Sequence, residues 1–360
     1  MSISADERRT RILEALESRG SVRVAELAEA LGIPAVTVRR DIAVLAEAGL
    51  VRRSHGSVST VAERQDGPAQ GASGRGPSVG LLVPAVGQYF DEVIAGARAA
   101  AARAGAQLML GISSYDASAD RVQVEQLLKS GADGLLLAPN WTPADQPGGQ
   151  DWVEDLPVPA VLVERRPAPG SAAQELDSVA SDHRHGVLLA LRHLVGLGHG
   201  AVALVARRDT WTAHEIRRGY TDGCALLGLP AEPVIDIVNP VADTEAVAAD
   251  LAEACARGVR AVLVHNDQDA IQLLPLLRAR GVQVPEQLAV VSYDDVFAAL
   301  GAPSLTAVAP PKHAVGAEAV ALLLRRLAAA GSTPVHHVLL LPKLTVRESC
   351  GATAGSRTAV

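Results

Sequence analysis

The chain has 360 residues, of which 48% are hydrophobic and 20% charged, with only two Phe, four Tyr and three Trp. This composition excludes collagen-like, disordered and coiled-coil proteins, and the length predicts two or three globular units. No apolar run reaches the roughly 20 residues that span a bilayer, and the N-terminus lacks the apolar stretch of a signal peptide. Three widely spaced cysteines predict neither a disulfide framework nor a metal cluster. We therefore expect a soluble cytoplasmic protein with no membrane partner, no metal and no cofactor.

The formal net charge of −7 is distributed unevenly. Residues 1–60 hold nine Arg against eight Asp or Glu, a net charge of +1, so the remaining 300 residues carry −8. A small basic module in front of a large acidic body is typical of a DNA-binding head joined to a body that binds a neutral ligand. A chance excess of Arg in an Arg-rich protein is the alternative.

The first 58 residues have the pattern of three helices followed by a two-stranded wing. Ser4 and Glu7 form a capping-box pattern at the start of the first helix. Apolar spacing predicts a second helix over residues 24–31 and a third over 34–48, and the segment 50–58 predicts the wing. This unit is a candidate DNA-binding domain.

The third predicted helix has two different faces. Val38, Ile42 and Leu45 form the stripe expected to be buried, and Asp41 beside it predicts a structural anchor. Small side chains and Arg on the other face suit the major groove, and basic wing residues suit phosphates or the minor groove. The predicted DNA-binding residues are Ala35, Val36, Thr37, Arg39, Arg40, Arg52, Arg53 and His55. A solvated basic helix face is the alternative.

A flexible linker rich in Gly, Ala, Ser and Pro is predicted over residues 59–77. Beyond it, apolar strand-like runs alternate with helical segments, as in a doubly wound α/β body over residues 78–350. The predicted strands are 79–84, 107–112, 134–138, 159–164, 201–206, 233–238, 261–264 and 288–292. Helices are predicted between them, for example over 91–104, 119–130, 185–197 and 268–280. Two similar lobes are the simplest arrangement for this length, and residues 351–360 are predicted to be a disordered tail.

Seven of the nine aromatic residues follow predicted strands, where parallel sheets bind ligands. Aromatic faces with a few carboxylates suit a sugar or a nucleoside. The predicted effector-binding residues are Tyr89, Phe90, Trp141, Glu164, Asp182, Trp211, Asn266 and Asp294. Two alternatives remain open: some rings plug the ends of the sheets, and some carboxylates only cap helices. Helix capping or hinge support is the expected role of Asp267 and Asp295.

The N-terminal unit resembles the DeoR-type winged helix-turn-helix over about 50 residues. The resemblance rests on Thr37-Val38-Arg39-Arg40-Asp41-Ile42, then Leu45, Gly49 and the segment Arg52 to Gly56. Pro34 departs from the family pattern, which has a capping Ser at this position. The resemblance implies binding to double-stranded operator DNA.

The body resembles the LacI/GalR sensor domain, a two-lobed fold of the type I periplasmic-binding-protein class with parallel sheets. The motifs that match in order include Tyr89-Phe90-Asp91-Glu92, Val179-Ala180-Ser181-Asp182, Asn266-Asp267, Ser292-Tyr293-Asp294-Asp295 and Arg347-Glu348-Ser349. The resemblance implies effector contacts at Tyr89, Phe90, Asp182 and Asp294. Ile216 stands where the family has a ligand-clamping Arg, so the identity of the ligand is not carried over.

These features predict a ligand-responsive transcriptional regulator, a homodimeric repressor of carbohydrate or nucleoside utilisation genes. Its effector, a small sugar or nucleoside, is expected between the two lobes and is expected to change operator affinity. No catalytic residue is predicted, since the sequence contains no P-loop and no G-x-S-x-G motif. A transporter's solute receptor, a sugar-phosphate isomerase-like enzyme and an activator are the alternatives.

Overall fold

The structure, a computed structural model, describes residues 5–19, 21–47, 51–54, 57–60, 76–86, 89–141, 152–167, 169–230, 234–240, 242–329 and 333–352. Two compact units divide the chain. The first comprises Met1–Trp141, Pro147–Val179 and Lys312–His337, and the second comprises Thr142–Gln146, Ala180–Pro311 and Val338–Val360. The first unit therefore takes in a late segment of the chain as well as its beginning.

The N-terminal helices and the wing form as the sequence predicts. The elements in this region are α1 (Ala5–Arg19), β1 (Ser21–Arg23), α2 (Val24–Leu31), α3 (Ala35–Glu47), β2 (Val51–Ser54) and β3 (Ser57–Thr60). The three strands form an antiparallel sheet in the order β1-β3-β2, in which β1 was not predicted. Gly32, with a φ of 65°, follows the end of α2 in the left-handed conformation that favours glycine.

Apolar side chains from all three helices meet in one small core. Ile12, Leu16, Leu27, Val38 and Leu45 are each at most 1% exposed. Because these residues repeat at helical spacing, each helix buries one face and leaves the other to solvent.

The predicted linker needs correction at both ends. Strand β3 extends to Thr60, two residues into the predicted linker, and Ser59 pairs with both β1 and β2. Pro77, at the other end, accepts a backbone hydrogen bond from Gln107. Residues 61–75 lie outside the described residues.

The body consists of strands alternating with helices. In chain order the elements are β4 (Ser78–Val83), α4 (Tyr89–Arg103), β5 (Gln107–Ile112), α5 (Ala117–Lys129), β6 (Gly134–Leu137), β7 (Ala160–Val163), β8 (Asp177–Ser181), α6 (His183–Gly196), β9 (Ala203–Arg207), α7 (Trp211–Leu227), β10 (Val234–Ile237), α8 (Thr244–Ala256), β11 (Ala261–His265), α9 (Asp267–Ala279), β12 (Ala289–Tyr293), β13 (Thr306–Ala309), α10 (Lys312–Ala328), β14 (His337–Leu340) and β15 (Lys343–Thr345). Every predicted strand and helix of the body is present.

Two six-stranded sheets carry the body. One has the order β14-β8-β7-β6-β4-β5 and the other the order β10-β9-β11-β12-β13-β15. Strands β4 to β8 pair in parallel, as do β9 to β13, whereas β15 runs antiparallel to β13. Every residue of β6, β7 and β8 is buried, which is typical of parallel strands covered by helices on both faces.

Helices α4 and α10 of the first unit pack at very short range. A Cβ atom on Gly96 would collide with the carbonyl oxygen of His313, and one on Gly316 would collide with the carbonyl oxygen of Val93. Only glycine therefore fits at these two positions. Both contacts join the late segment Lys312–His337 to the earlier part of the first unit.

The predicted tail begins later than expected. Ala352 is 7% exposed and packs with Cys350 in the core of the second unit. Residues 353–360 lie outside the described residues.

Candidate functional site

The exposed side of α3 is the candidate DNA-binding surface. Val38, Ile42 and Leu45 are buried on the other side, as predicted, whereas Arg40 is exposed and Thr37 is half-buried. Ala35, Val36 and Arg39 lie in the same helix, and Arg52 and Arg53 lie in β2 of the wing. His55, the remaining predicted DNA-binding residue, lies outside the described residues.

Asp41 anchors α3 to α1, as the sequence analysis expects. Its carboxylate accepts hydrogen bonds from Arg8, with Arg8 Nε 2.9 Å from Oδ2, and Arg9 Nε lies 3.5 Å from Oδ1. Asp41 is 3% exposed. A partly buried ion pair that joins two helices fixes the orientation of α3, and with it the direction in which Arg40 projects.

In the first unit, polar residues gather where the parallel strands end. The hydroxyl of Tyr89 donates to Glu164 Oε1 at 2.7 Å, and Glu164 is only 2% exposed. The ammonium of Lys312 lies 5.6 Å from the centroid of the Tyr89 ring and 3.3 Å from Glu92 Oε1. The structure thus brings the predicted residues Tyr89 and Glu164 into direct contact, and it adds Lys312.

A second polar cluster, which the sequence did not predict, lies at this edge. Asp120 accepts hydrogen bonds from the backbone and side-chain nitrogens of Asn140, whose side-chain nitrogen also donates to Ser113. Arg165, 5% exposed, donates to the carbonyl oxygens of Pro139 and Glu164. Burial raises the pKa of the Asp120 carboxyl, and the hydrogen bonds to it oppose that shift. Asn140 and Arg165 follow strands β6 and β7, which is the signal that could have identified them.

Two predicted aromatic contacts of the first unit lie in the interior. Trp141 is 3% exposed and packs with Val153 and Leu162 in a hydrophobic cluster, with the Trp152 ring 6.2 Å away. Phe90 is 6% exposed, and its ring meets that of Tyr89 edge-on. This packing agrees with the alternative in which some rings plug the ends of the sheets, and a ligand contact at Trp141 or Phe90 stays a prediction.

In the second unit, two of the predicted effector residues cap helices, and two others lie next to a strand end or a helix start. Asp182 caps α6 by accepting from the backbone N–H of His185, and Asn266 caps α9 by accepting from that of Asp269. Trp211, 7% exposed, is the first residue of α7. Asp294, also 7% exposed, follows β12 directly.

Asp267 supports a loop, which agrees with its expected role. A single carboxylate oxygen accepts hydrogen bonds from the backbone N–H groups of Val296, Phe297 and Ala298, at 2.6, 2.7 and 3.1 Å. Asp295 forms an ion pair with Arg347 at 2.7 Å. Asp267 therefore fixes the loop that follows β12.

A second group in this unit was missed by the sequence analysis. His183 Nδ1 lies 3.2 Å from the Tyr293 hydroxyl, and the rings of His183 and His265 lie 5.8 and 6.2 Å from the Tyr293 ring. Arg207 forms a two-point ion pair with Asp269 at 2.9 and 3.1 Å. The position of these histidines next to strand ends could have identified the group, but the aromatic pattern counted only Phe, Tyr and Trp.

Left-handed backbone conformations mark the same sheet edges. Among the described residues, the non-glycine residues with positive φ are Ser114, Tyr115, Glu164, Asp294 and Asp295. All of them follow the carboxyl ends of β5, β7 or β12. Such conformations cost about 1–3 kcal/mol each and are typical of ligand-binding sites, where the surrounding structure holds them.

Within the part of the chain that the structure describes, no group of three or more His, Cys, Asp or Glu side chains could hold a metal ion. Each helix in that part is too short or too polar to cross a lipid bilayer.

Comparison with known proteins supports both halves of this description. The chain matches a DeoR-like helix-turn-helix domain over residues 8–64 and a periplasmic binding protein-like domain over residues 191–350. It is 22% identical to the arabinose metabolism transcriptional repressor of Geobacillus stearothermophilus, over 90% of this chain and 89% of that protein.

Two solved structures extend the likeness. The complex of the transcriptional regulator CelR with cellobiose is 25% identical and has a TM-score of 0.65, covering 88% of this chain and 90% of that one. A LacI-family transcriptional regulator from Sanguibacter keddieii is 30% identical with a TM-score of 0.59, and the match covers 77% of this chain and all of that one. The body of this chain therefore belongs to the LacI family, and the chain is a DNA-binding transcriptional regulator with a DeoR-like helix-turn-helix domain in front of that body.

Proposed function

We propose that this regulator is a repressor of carbohydrate utilisation genes whose operator affinity changes when a small sugar binds to the body. The observation that carries the proposal is that each unit has buried polar residues in strained backbone conformations where its parallel strands end, Glu164 in the first unit and Asp294 in the second. Buried carboxylates accept hydrogen bonds from sugar hydroxyls. CelR, a protein of similar fold, is known in complex with cellobiose, which favours a sugar over a nucleoside.

The DNA-binding part of the proposal assigns operator contact to the exposed face of α3 and to the wing. Arg40 is exposed on a helix whose other face is buried, which is the arrangement that major-groove reading requires. Arg39, Arg52 and Arg53 complete the basic set. In this proposal the DNA-binding domain spans residues 1–58, or 1–60 if β3 is taken whole.

We also propose that the regulator acts as a homodimer. Two winged helices would then bind two half-sites whose centres are about 34 Å apart, or a multiple of that distance. Only a ligand with different affinities for two conformations of the body can change operator affinity.

A two-part experiment tests the proposed function. Thermal-shift measurements with mono- and oligosaccharides and nucleosides should identify a sugar that raises the melting temperature, because a ligand that binds only the folded state stabilises it by mass action. The same sugar should change binding to the promoter DNA of neighbouring genes, measured by fluorescence anisotropy.

Several outcomes would contradict the proposal. A sugar that binds without any change in DNA affinity would point to a receptor rather than a sensor, and turnover of sugar phosphates would indicate an enzyme. Stimulated transcription in vitro would indicate an activator. A footprint over a single half-site, bound by a monomer, would exclude the dimer.

A further inference from the structure

A buried histidine lies at the end of strand β11 in the second unit. His265 is the last residue of β11, and its ring faces that of Tyr293 at 6.2 Å with an angle of 72° between the planes. It is 3% exposed. The next residue, Asn266, and the residue after Tyr293, Asp294, both belong to the predicted effector-binding set.

One nitrogen of this imidazole is buried without a hydrogen bond. His265 Nδ1 forms no hydrogen bond with any described residue. An unsatisfied buried polar atom destabilises the folded state, so such atoms are retained where a ligand or an ordered water completes their hydrogen bonds. The position at the carboxyl end of a parallel strand is where α/β proteins bind ligands.

The positive charges near His265 are already paired within the chain. Arg207 forms its two-point contact with Asp269. Arg217 donates to the carbonyl oxygens of Ala206 and Arg207 and lies 2.7 Å from Asp236 Oδ1. An anionic ligand would have to compete with these carboxylates for the guanidinium groups.

The imidazole itself carries no charge near neutral pH. Burial is the main cause that lowers the pKa of His265 to about 3, and the positive charges of Arg207, His183 and Arg217 lower it further. A neutral imidazole offers one N–H donor and one nitrogen acceptor, which matches the hydroxyl of a sugar. An uncharged imidazole does not neutralise the negative charge of a phosphate group.

We propose, on the basis of the proposed function, that His265 is a ligand-contacting residue that determines specificity, and that it hydrogen-bonds a hydroxyl of an unphosphorylated sugar. Asn266 follows His265 on the chain, and Asp294 follows Tyr293, whose ring lies 6.2 Å from that of His265, so both supply further hydrogen-bonding groups at the same edge. The second unit thereby selects a neutral polyhydroxy ligand over its phosphate ester.

Isothermal titration of the full chain tests this inference with three variants. The probes are cellobiose, L-arabinose, D-ribose, 2-deoxy-D-ribose, L-arabinose 5-phosphate and D-ribose 5-phosphate. His265→Leu removes both ring nitrogens, and His265→Gln keeps a donor and an acceptor. His199→Leu serves as the matched control, since His199 follows α6 and lies away from the strand ends that carry the predicted effector residues.

The expected result has three parts. The wild type binds at least one unphosphorylated sugar, and binds any phosphorylated counterpart at least about tenfold more weakly. His265→Leu weakens binding of that sugar about tenfold, the effect of losing one ligand hydrogen bond, without lowering the melting temperature. His265→Gln recovers most of the affinity, and His199→Leu leaves it unchanged.

Contrary outcomes are distinguishable. Unchanged sugar affinity in His265→Leu would overturn the role of His265 while leaving the proposed function intact, and would mean that water satisfies Nδ1. Equal or tighter binding of a sugar phosphate would overturn the ligand class. A wild type that binds none of the probes would count against the proposed function and against this inference together.

Discussion

Asp267 and Glu164 illustrate two uses of a buried carboxylate at a strand end. One carboxylate oxygen of Asp267 accepts hydrogen bonds from three backbone N–H groups. Asp267 therefore fixes a loop, and that oxygen cannot also accept from a ligand. Glu164 accepts from the Tyr89 hydroxyl through Oε1 in a strained backbone conformation. The two carboxylates differ in their hydrogen-bond partners. Backbone N–H partners indicate that Asp267 stabilises a loop, whereas a ligand hydroxyl can replace the Tyr89 hydroxyl at Glu164, which indicates a ligand-binding role.

Replacing Arg40 tests the operator-binding face. Arg40→Ala should weaken binding to operator DNA by about 1–3 kcal/mol and relax base preference, because an arginine in the major groove contacts guanine edges. Fluorescence anisotropy with the operator and with single-base variants measures both effects. Arg11→Ala is the control, since Arg11 is exposed and pairs with Glu7 on the same helix. Unchanged affinity in Arg40→Ala would place the recognition surface elsewhere.

Replacing Asp294 tests the effector site. Asp294→Asn should abolish the effect of the sugar on DNA binding and leave DNA affinity without sugar unchanged. Asn is preferred to Ala because the φ of Asp294 is 91°, a conformation that Asn tolerates better. DNA titrations with and without the sugar found by thermal shift measure the response, and Glu253→Ala, on the exposed side of α8, is the control. A normal response in Asp294→Asn would remove this residue from the site.

At the scale of elements, apolar runs predicted eight strands of the body, and both faces are buried in central strands such as β6, β7 and β11. No apolar run predicted β8, β13 or β15, since polar residues such as Asp177, Thr306 and Lys343 interrupt their apolar character. No bounds were predicted for α7, α8 or α10. Gly219 in α7 and Gly316 in α10 allow close packing but contribute no apolar signal.

The close packing of α4 and α10 reverses the usual effect of replacing Gly by Ala in a helix. That replacement normally raises the free energy of unfolding by about 0.8–1 kcal/mol. Gly96→Ala should instead destabilise the protein by about 1–3 kcal/mol or more, because its Cβ would meet the carbonyl oxygen of His313. Chemical denaturation followed by circular dichroism measures the change.

Gly196 provides the matched control for this substitution. It lies in α6, and a Cβ atom there would meet no atom within 4 Å. Gly196→Ala should therefore be neutral or stabilising. A Gly96→Ala variant as stable as the wild type would contradict the packing of α4 against α10.

At the scale of the whole molecule, buried histidines control the response to acid. The folded-state pKa of His265 is lowered to about 3 from its ordinary value of 6.5, mainly by burial. As the pH falls below 6.5, the unfolded chain takes up this proton and the folded chain does not, so the folded state loses stability. From about pH 7.5 to about pH 5 this group alone costs about 2 kcal/mol.

Other groups add to and oppose this effect. Burial also lowers the pKa values of His193, His199 and His214, with the same sign as His265. Burial raises the pKa values of Asp120 and Asp267, which favours the folded state as the pH falls through those raised values. Between about pH 7.5 and about pH 5, the free energy of unfolding should fall less in His265→Leu than in the wild type, as measured by unfolding curves at the two pH values. Equal losses would mean that His265 is protonated in the folded protein.

The sequence predicted the two-part organisation and the positions of most candidate residues, but not their contacts. Asp41 could be assigned an anchoring role from its place beside the buried stripe, and Arg8 and Arg9 then proved to be its partners. Trp141 could not be distinguished from a ligand-facing ring, since both positions follow a strand. His265 was missed because its significance depends on a ring and two guanidinium groups from other segments.

The discontinuity of the first unit has a consequence for biosynthesis. Lys312–His337 completes this unit, so a chain emerging from the ribosome exposes the incomplete α4 surface until residues beyond 328 have left the exit tunnel. The second unit is completed later still, because Val338–Val360 supplies β15 and the core residue Cys350. A nascent chain stalled near residue 311 should therefore leave both units open to a protease, whereas the released full-length chain should resist cleavage.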